Sequence, residues 1–173
     1  MKRSTVLLTV TALVFTLSGA WLGAKHAAPP IPLSPEVASL FSQTLTDSKG
    51  KPQVLSQWRG KKLIVNFWAP WCKPCVEEMP ELSALQTEIT DKNVQVIGIG
   101  IDSAANITEF STKLMIAYPI YVAGMSGTEL ASTLGNHVGG LPFTALIGMD
   151  GQLKKTYTGR LHFDELRKDL ASM

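Results

Sequence analysis

Two stretches in the middle of the chain are apolar at almost every position. Leu63–Trp68 reads LIVNFW and is interrupted only by Asn66, and a second run reads NVQVIGIGI from Asn93 to Ile101. Short apolar runs without alternation predict strands buried on both faces. Between them the spacing predicts a helix from the cysteines at 72 and 75 to about Glu88. Pro80 lies inside it, where its ring removes a backbone donor and should kink the axis. SAANITEFSTKLMIA predicts another helix with Ser103 as its N-cap. YPIYVA predicts a short strand, and SGTELASTLG a short helix ending near Gly135. PFTALIGMDGQLKKTYTG predicts a hairpin turning on Asp150-Gly151. HFDELRKDLASM closes the chain as an amphipathic helix with Leu166 and Leu170 on one face. Upstream, FSQTLTDSKGKPQVLSQWRGK predicts a short strand near Ser42–Thr46, a turn on Asp47-Ser48-Lys49-Gly50, and a short helical stretch near Leu55–Trp58. Strands alternating with helices predict an α/β fold: a mixed central sheet flanked by helices, with an N-terminal hairpin extension.

The first 24 residues follow a different pattern. Lys2 and Arg3 are followed by a run from Thr5 to Ala24 with no charged residue. That run is about long enough to cross a bilayer as a helix, and longer than the usual apolar core of a cleaved signal peptide. Ser18-Gly19-Ala20 still offers a small-residue cleavage site, so both a signal-anchor and a cleaved signal peptide remain open. Basic residues ahead of the span place the body on the periplasmic or extracytoplasmic face of the membrane. Residues 25–35, KHAAPPIPLSP, read as an extended linker, and residues 36–173 as one domain.

Composition changes the picture in one respect. The 173 residues carry a formal charge of +2, but Lys2, Arg3 and Lys25 lie in or beside the apolar segment, and the remainder has 13 basic and 14 acidic residues. A nearly neutral body is not an electrostatic nucleic-acid binder.

The chain has only two cysteines, in WCKPCVEEMP. As a structural staple, a Cys72–Cys75 bridge would close a very short loop, the kind that stabilises least. As a zinc site the pair supplies two of four ligands, and neither His137 nor His162 sits in a paired spacing. Copper chaperones that carry two cysteines and a distal His use the wider C-x-x-x-C spacing. Redox chemistry suits the spacing best. A cysteine at a helix N-terminus has its thiolate stabilised by the helix dipole and free N–H groups. A second cysteine one turn on can attack a mixed disulfide. Pro74 fits a first helical turn, where no N–H is needed.

NFWAPWCKPCVEEMP, followed much later by GGLPFTALIGMDG, resembles the thioredoxin superfamily. The resemblance is greatest to the membrane-anchored thiol–disulfide oxidoreductases of the TlpA/ResA/CcmG-like group, and it covers about residues 36–173. It implies a thioredoxin fold with Cys72 as nucleophile, Cys75 as resolving thiol, and a redox-active Cys72–Cys75 disulfide with no other cofactor or metal. It implies substrate contacts for Trp71, Leu141 and Pro142, the last as a cis-proline facing the cysteines. Glu78 matches a glutamate that tunes the thiols and shuttles protons in ResA-like members; the alternative is a solvated acid near the helix N-terminus. Asn66 stands where ordinary thioredoxins carry a buried Asp, so no carboxylate is expected from that strand position. GGLPF differs from the GAPE-type loop of CcmG-like members. His137 reads as a surface residue.

The group resembled is mostly reducing, which implies protein disulfides as substrates, for example in cytochrome c-type biogenesis or copper-site maturation. A reductant outside the cytoplasm also needs a membrane electron donor of the DsbD/CcdA type. The alternatives are a disulfide-forming oxidant and, with less support from the spacing, a copper metallochaperone.

Overall fold

A computed structural model of the chain describes residues 32–89 and 92–173. The apolar segment 1–24 and most of the expected linker lie outside the described residues. No helix among the described residues is long and apolar enough to cross a membrane.

Seven strands form one sheet in the order β2-β1-β5-β4-β3-β6-β7. The two apolar runs become its centre, β3 (Lys62–Trp68) and β4 (Val94–Gly100), which pair in parallel from Lys62↔Val94 to Trp68↔Gly100. β5 (Ile120–Val122) continues the parallel side. The hairpin of β6 (Phe143–Ile147) and β7 (Leu153–Thr158) adds antiparallel to β3. On the far side β1 (Thr44–Asp47) pairs antiparallel with β5 and with β2 (Pro52–Val54), completing the N-terminal hairpin. Among the described residues the helices are α1 (Pro35–Phe41), α2 (Lys73–Glu88), α3 (Ala104–Lys113), α4 (Ser126–Thr133) and α5 (Phe163–Ser172), with a 3₁₀ turn at Leu55–Trp58.

Alternation along β3 builds two cores. Ile64 and Trp68 pack beneath α2 and α5 with Met79, Leu82, Leu85, Leu166 and Leu170. Leu63, Val65 and Phe67 face the other layer with Val37, Leu40, Leu130 and Leu134. Two helical features follow from local chemistry. Ser103 accepts a hydrogen bond from the Asn106 N–H at the start of α3. α2 runs through Pro80 as one helix with Leu82 and Leu85 buried beyond it. α1 was not expected from sequence: Pro35, at the end of the Pro-rich stretch, opens it, and Val37, Leu40 and Phe41 are buried. The chain is already held one residue earlier, where the Ser34 N–H donates to the Gly151 carbonyl at 3.1 Å.

At Gly100 a helix side chain packs directly against the sheet. A Cβ there would lie 2.3 Å from Ile107 Cδ1 and 2.8 Å from its Cγ1. Ile107 is itself fully buried. Gly100→Ala should therefore cost about 1–3 kcal/mol by overpacking, read as a lowered urea midpoint. An unchanged midpoint would mean that α3 is free to lift away.

Candidate active site

α2 begins immediately after β3, at the carboxyl end of the parallel strands. Cys72 caps it in an extended conformation (φ −88°, ψ 96°), with Pro74 in the first turn. The Cys75 N–H points at the Cys72 sulfur, 3.3 Å away. The two sulfurs are joined at 2.03 Å with Cα atoms 5.3 Å apart. Cys72 keeps 6% of its surface exposed and Cys75 none, so an incoming group meets Cys72 first. When the bond is reduced, the N-terminal end of α2 presents its positive dipole and the Cys75 N–H to that sulfur, which favours the thiolate.

One turn below the cysteines, Glu78 is fully buried. Its Oε1 accepts from Asn66 Nδ2 at 2.8 Å, and its Oε2 from the Leu161 N–H at 3.0 Å. Asn66 Nδ2 also donates to Thr144 Oγ1 at 3.0 Å. Burial pushes the Glu78 carboxyl up to about 7, against the pull of the Leu161 N–H, Asn66 and the Arg160 charge. A solvated acid is therefore ruled out at this position, whereas its neighbour Glu77 is exposed. The strand position lacks a carboxylate, as Asn66 implied, but the helix supplies one directly against that amide. Tyr118 belongs to the same buried layer, and its hydroxyl is pushed up by burial and then by the Glu78 charge.

A strap from the end of β7 closes over the acid. Arg160 reaches Glu77 at 3.4 Å and Glu81 at 3.2 Å, both on α2, which seats the next residue, Leu161, with its N–H on Glu78. Exposed ion pairs of this kind contribute little stability individually. Their use here is positional.

The remaining expected residues fall around the same end of the sheet. Trp71 is 70% exposed beside Cys72. The Leu141–Pro142 peptide bond is cis. The Phe67↔Phe143 register puts Pro142 level with Trp68 at the carboxyl end of β3, and its carbonyl accepts from the Gly159 N–H at 2.8 Å. Leu141 is half-buried against both cores. His137 is exposed. Sequence reasoning did not find Thr144, Arg160 or Leu161. Thr144 had a signal, being a polar residue in the apolar run FTALI as Asn66 is in LIVNFW. Leu161 contributes a backbone N–H and had none.

Chemically, the site holds one reachable sulfur at a helix start, a second buried behind it, and an acid poised near neutrality one turn below. With the sheet order and the cis-proline strand, it defines a thioredoxin-fold protein carrying a dithiol–disulfide pair. Residues 30–170 match the Redoxin family, and the chain belongs to it. The thiol-disulfide oxidoreductase ResA of Geobacillus thermodenitrificans (strain NG80-2) is 28% identical over 174 residues, covering 100% of this chain and 94% of the relative. ResA of Bacillus thuringiensis (strain Al Hakam) is 31% identical over 123 residues, 70% of this chain and 69% of the relative. Among solved structures, the exposed lipoprotein thioredoxin of Streptococcus pneumoniae strain TIGR4 aligns with a TM-score of 0.65 at 28% identity, over 76% of this chain and 98% of that one.

Proposed function

We propose that this thiol–disulfide oxidoreductase reduces protein disulfides on the extracytoplasmic side of a membrane, using Cys72 and Cys75 as its sole redox centre. The observation that carries the reading is the reachable Cys72 sulfur at the start of α2, with Cys75 one turn behind it and Glu78 buried below. In the reduced protein the Cys72 thiolate attacks one sulfur of a substrate disulfide, and the other leaves as a thiolate that takes up a proton. Cys75 then gives its proton to Glu78 and attacks the Cys72 sulfur. This breaks the mixed disulfide, releases the second substrate sulfur as a thiolate that takes up a proton, returned by Glu78 or drawn from solvent, and closes the Cys72–Cys75 bond. Two electrons pass to the substrate. An acid titrating near 7 suits the proton step, because it can both take and return a proton near neutrality. Trp71 and Leu141 contact the substrate chain. Pro142 leaves the edge before β6 without a competing N–H, so that an extended segment can pair with the Leu141 backbone.

The uncharged run Thr5–Ala24 behind Lys2 and Arg3 supports an N-terminal tether, and the exposed lipoprotein among the solved relatives is consistent with that side of the membrane. Re-reduction then requires a membrane thiol donor of the DsbD/CcdA type, and disulfides of cytochrome c or copper-site maturation are fitting substrates. The equilibrium reduction potential tests the direction. Titrated against glutathione or dithiothreitol, the couple should sit at roughly −230 mV or below; a value near about −120 mV would make the protein an oxidant instead.

A further inference from the structure

The charges of this nearly neutral body are not evenly spread. Arg59, Lys61, Lys62 and Lys92 gather where β3 and β4 begin, at the end of the sheet opposite Cys72. Asn93 holds the group together: its carbonyl accepts from the Lys62 N–H at 3.1 Å, and its Nδ2 reaches the Gly60 carbonyl at 3.3 Å. Among the described residues none of the four cations is in an ion pair, although Lys62 Nζ donates to the Leu170 carbonyl at 3.3 Å, Lys61 Nζ lies over the Trp58 ring and the Lys92 charge acts on Glu88; the nearby acids Asp150 and Glu88 are themselves tied to Lys154 and Arg167. At the cysteine end the pattern reverses: Lys73 and Arg160 are both bound to acids of α2, and Asp102 and Glu129 add further negative charge. The same cationic pole carries an exposed apolar residue, Met149, 52% exposed and touching Asn93 Nδ2 through its sulfur.

This pole is also where the chain enters the domain. Gln152 Nε2 donates to the Pro32 carbonyl at 2.7 Å, and the Ser34 N–H to the Gly151 carbonyl at 3.1 Å, both in the turn that contains Met149. Seven residues, 25–31, separate the end of the uncharged run from the first described residue. Fully extended they span about 25 Å. A domain tethered that closely stays near the range over which a charged lipid surface attracts basic side chains, about one Debye length of 8–10 Å.

We propose that the pole formed by Arg59, Lys61, Lys62, Lys92 and Met149 seats on an anionic lipid surface and turns the Cys72 end outward. The inference rests on the tethered reading above for the closeness of the membrane, and on charge complementarity for the face. Orientation, not added affinity, is the gain: the reactive sulfur points toward substrates in the surrounding medium instead of into headgroups. Four cations and one methionine bury little apolar area, so the seat releases readily and the domain can swing toward a donor in the bilayer.

The test compares the full chain, in its disulfide form, reconstituted in vesicles of phosphatidylcholine alone and with about one third phosphatidylglycerol. Dilute hydrogen peroxide then reads the accessibility of Met149 against Met125, which is 79% exposed near the cysteine end. The Met149-to-Met125 oxidation ratio should fall about threefold or more in the anionic vesicles and recover in about 0.5 M salt. Arg59→Glu/Lys61→Glu/Lys92→Glu should abolish the fall while retaining disulfide exchange in detergent. Lys92→Glu alone, at an exposed position, should weaken the fall and serves if the triple variant does not fold. Equal ratios in both vesicles that bind the chain overturn the proposal and leave the tether intact. A chain that fails to float with neutral vesicles overturns the tether; salt-sensitive protection of Met149 by anionic vesicles would then still support the face, and its absence would overturn it. Protection by polyglutamate but not by anionic vesicles assigns the pole to an acidic protein and also overturns the proposal.

Discussion

Cys72→Ser is expected to lower disulfide reduction by on the order of 10³-fold or more, because a serine hydroxyl is not ionised near neutrality and cannot replace the thiolate nucleophile. Cys75 does not substitute for it, being fully buried behind the first sulfur. The complementary change has a different outcome. Cys75→Ser keeps the attacking sulfur and removes the group that resolves the intermediate, so Cys72 should accumulate in a mixed disulfide with substrate. The measurement is reduction of a protein disulfide under single-turnover conditions, with mass spectrometry of the trapped species. A Cys72→Ser protein that retained activity, or a Cys75→Ser protein that trapped nothing, would reverse or remove the assigned order of attack.

The second large effect concerns pH and Glu78. Its carboxyl binds a proton up to about pH 7 in the folded chain, against an ordinary value of 4.5. Below pH 4.5 the acid is protonated in both folded and unfolded chains, and its burial carries no ionisation penalty. Between 4.5 and 7 the unfolded chain releases the proton while the folded one keeps it, so stability falls as pH rises. Above 7 the loss is complete. Between pH 5 and pH 8 this one group should remove about 2–3 kcal/mol. Asp102 and Asp169, held below the ordinary carboxylate range by the Ser103 N–H and by Lys155 respectively, have finished titrating by then. Glu78→Gln should flatten the urea-midpoint profile in this window. The amide fits because Asn66 can turn over: its Oδ1 has no hydrogen-bond partner in the present arrangement and would accept from the new NH₂. A wild-type profile already flat from pH 5 to pH 8 would show that the acid is hydrated after all.

Much of the architecture is legible because it depends on local chemistry. LIVNFW and NVQVIGIGI have no polar alternation, and both lie at the sheet centre, covered on each face. Ser103 reads as a cap and is one. The misses have physical causes. α1 hides in a proline-rich stretch, although Val37, Leu40 and Phe41 have helical spacing and Pro35 suits a first turn. The N-terminal hairpin was expected, but its second strand was not placed: β2 is three residues with an exposed–intermediate–exposed pattern, too short for a period to register. At the site, residues close in sequence were readable: Cys72, Cys75 and Glu78 share one helix. The environment of Glu78 was not, because it is assembled from Asn66, Thr144 and Leu161, drawn from three separate segments.

That assembly has a consequence for the order in which the protein matures. As the chain is made from its N-terminus, both cysteines, Asn66 and Glu78 appear early, yet the Leu161 N–H that holds the second carboxylate oxygen lies 83 residues further on. Until that last stretch arrives, Oε2 of the acid lacks its partner and the burial that raises the carboxyl is incomplete. The raised carboxyl is thus a property of the finished domain, complete only when its C-terminal end has docked.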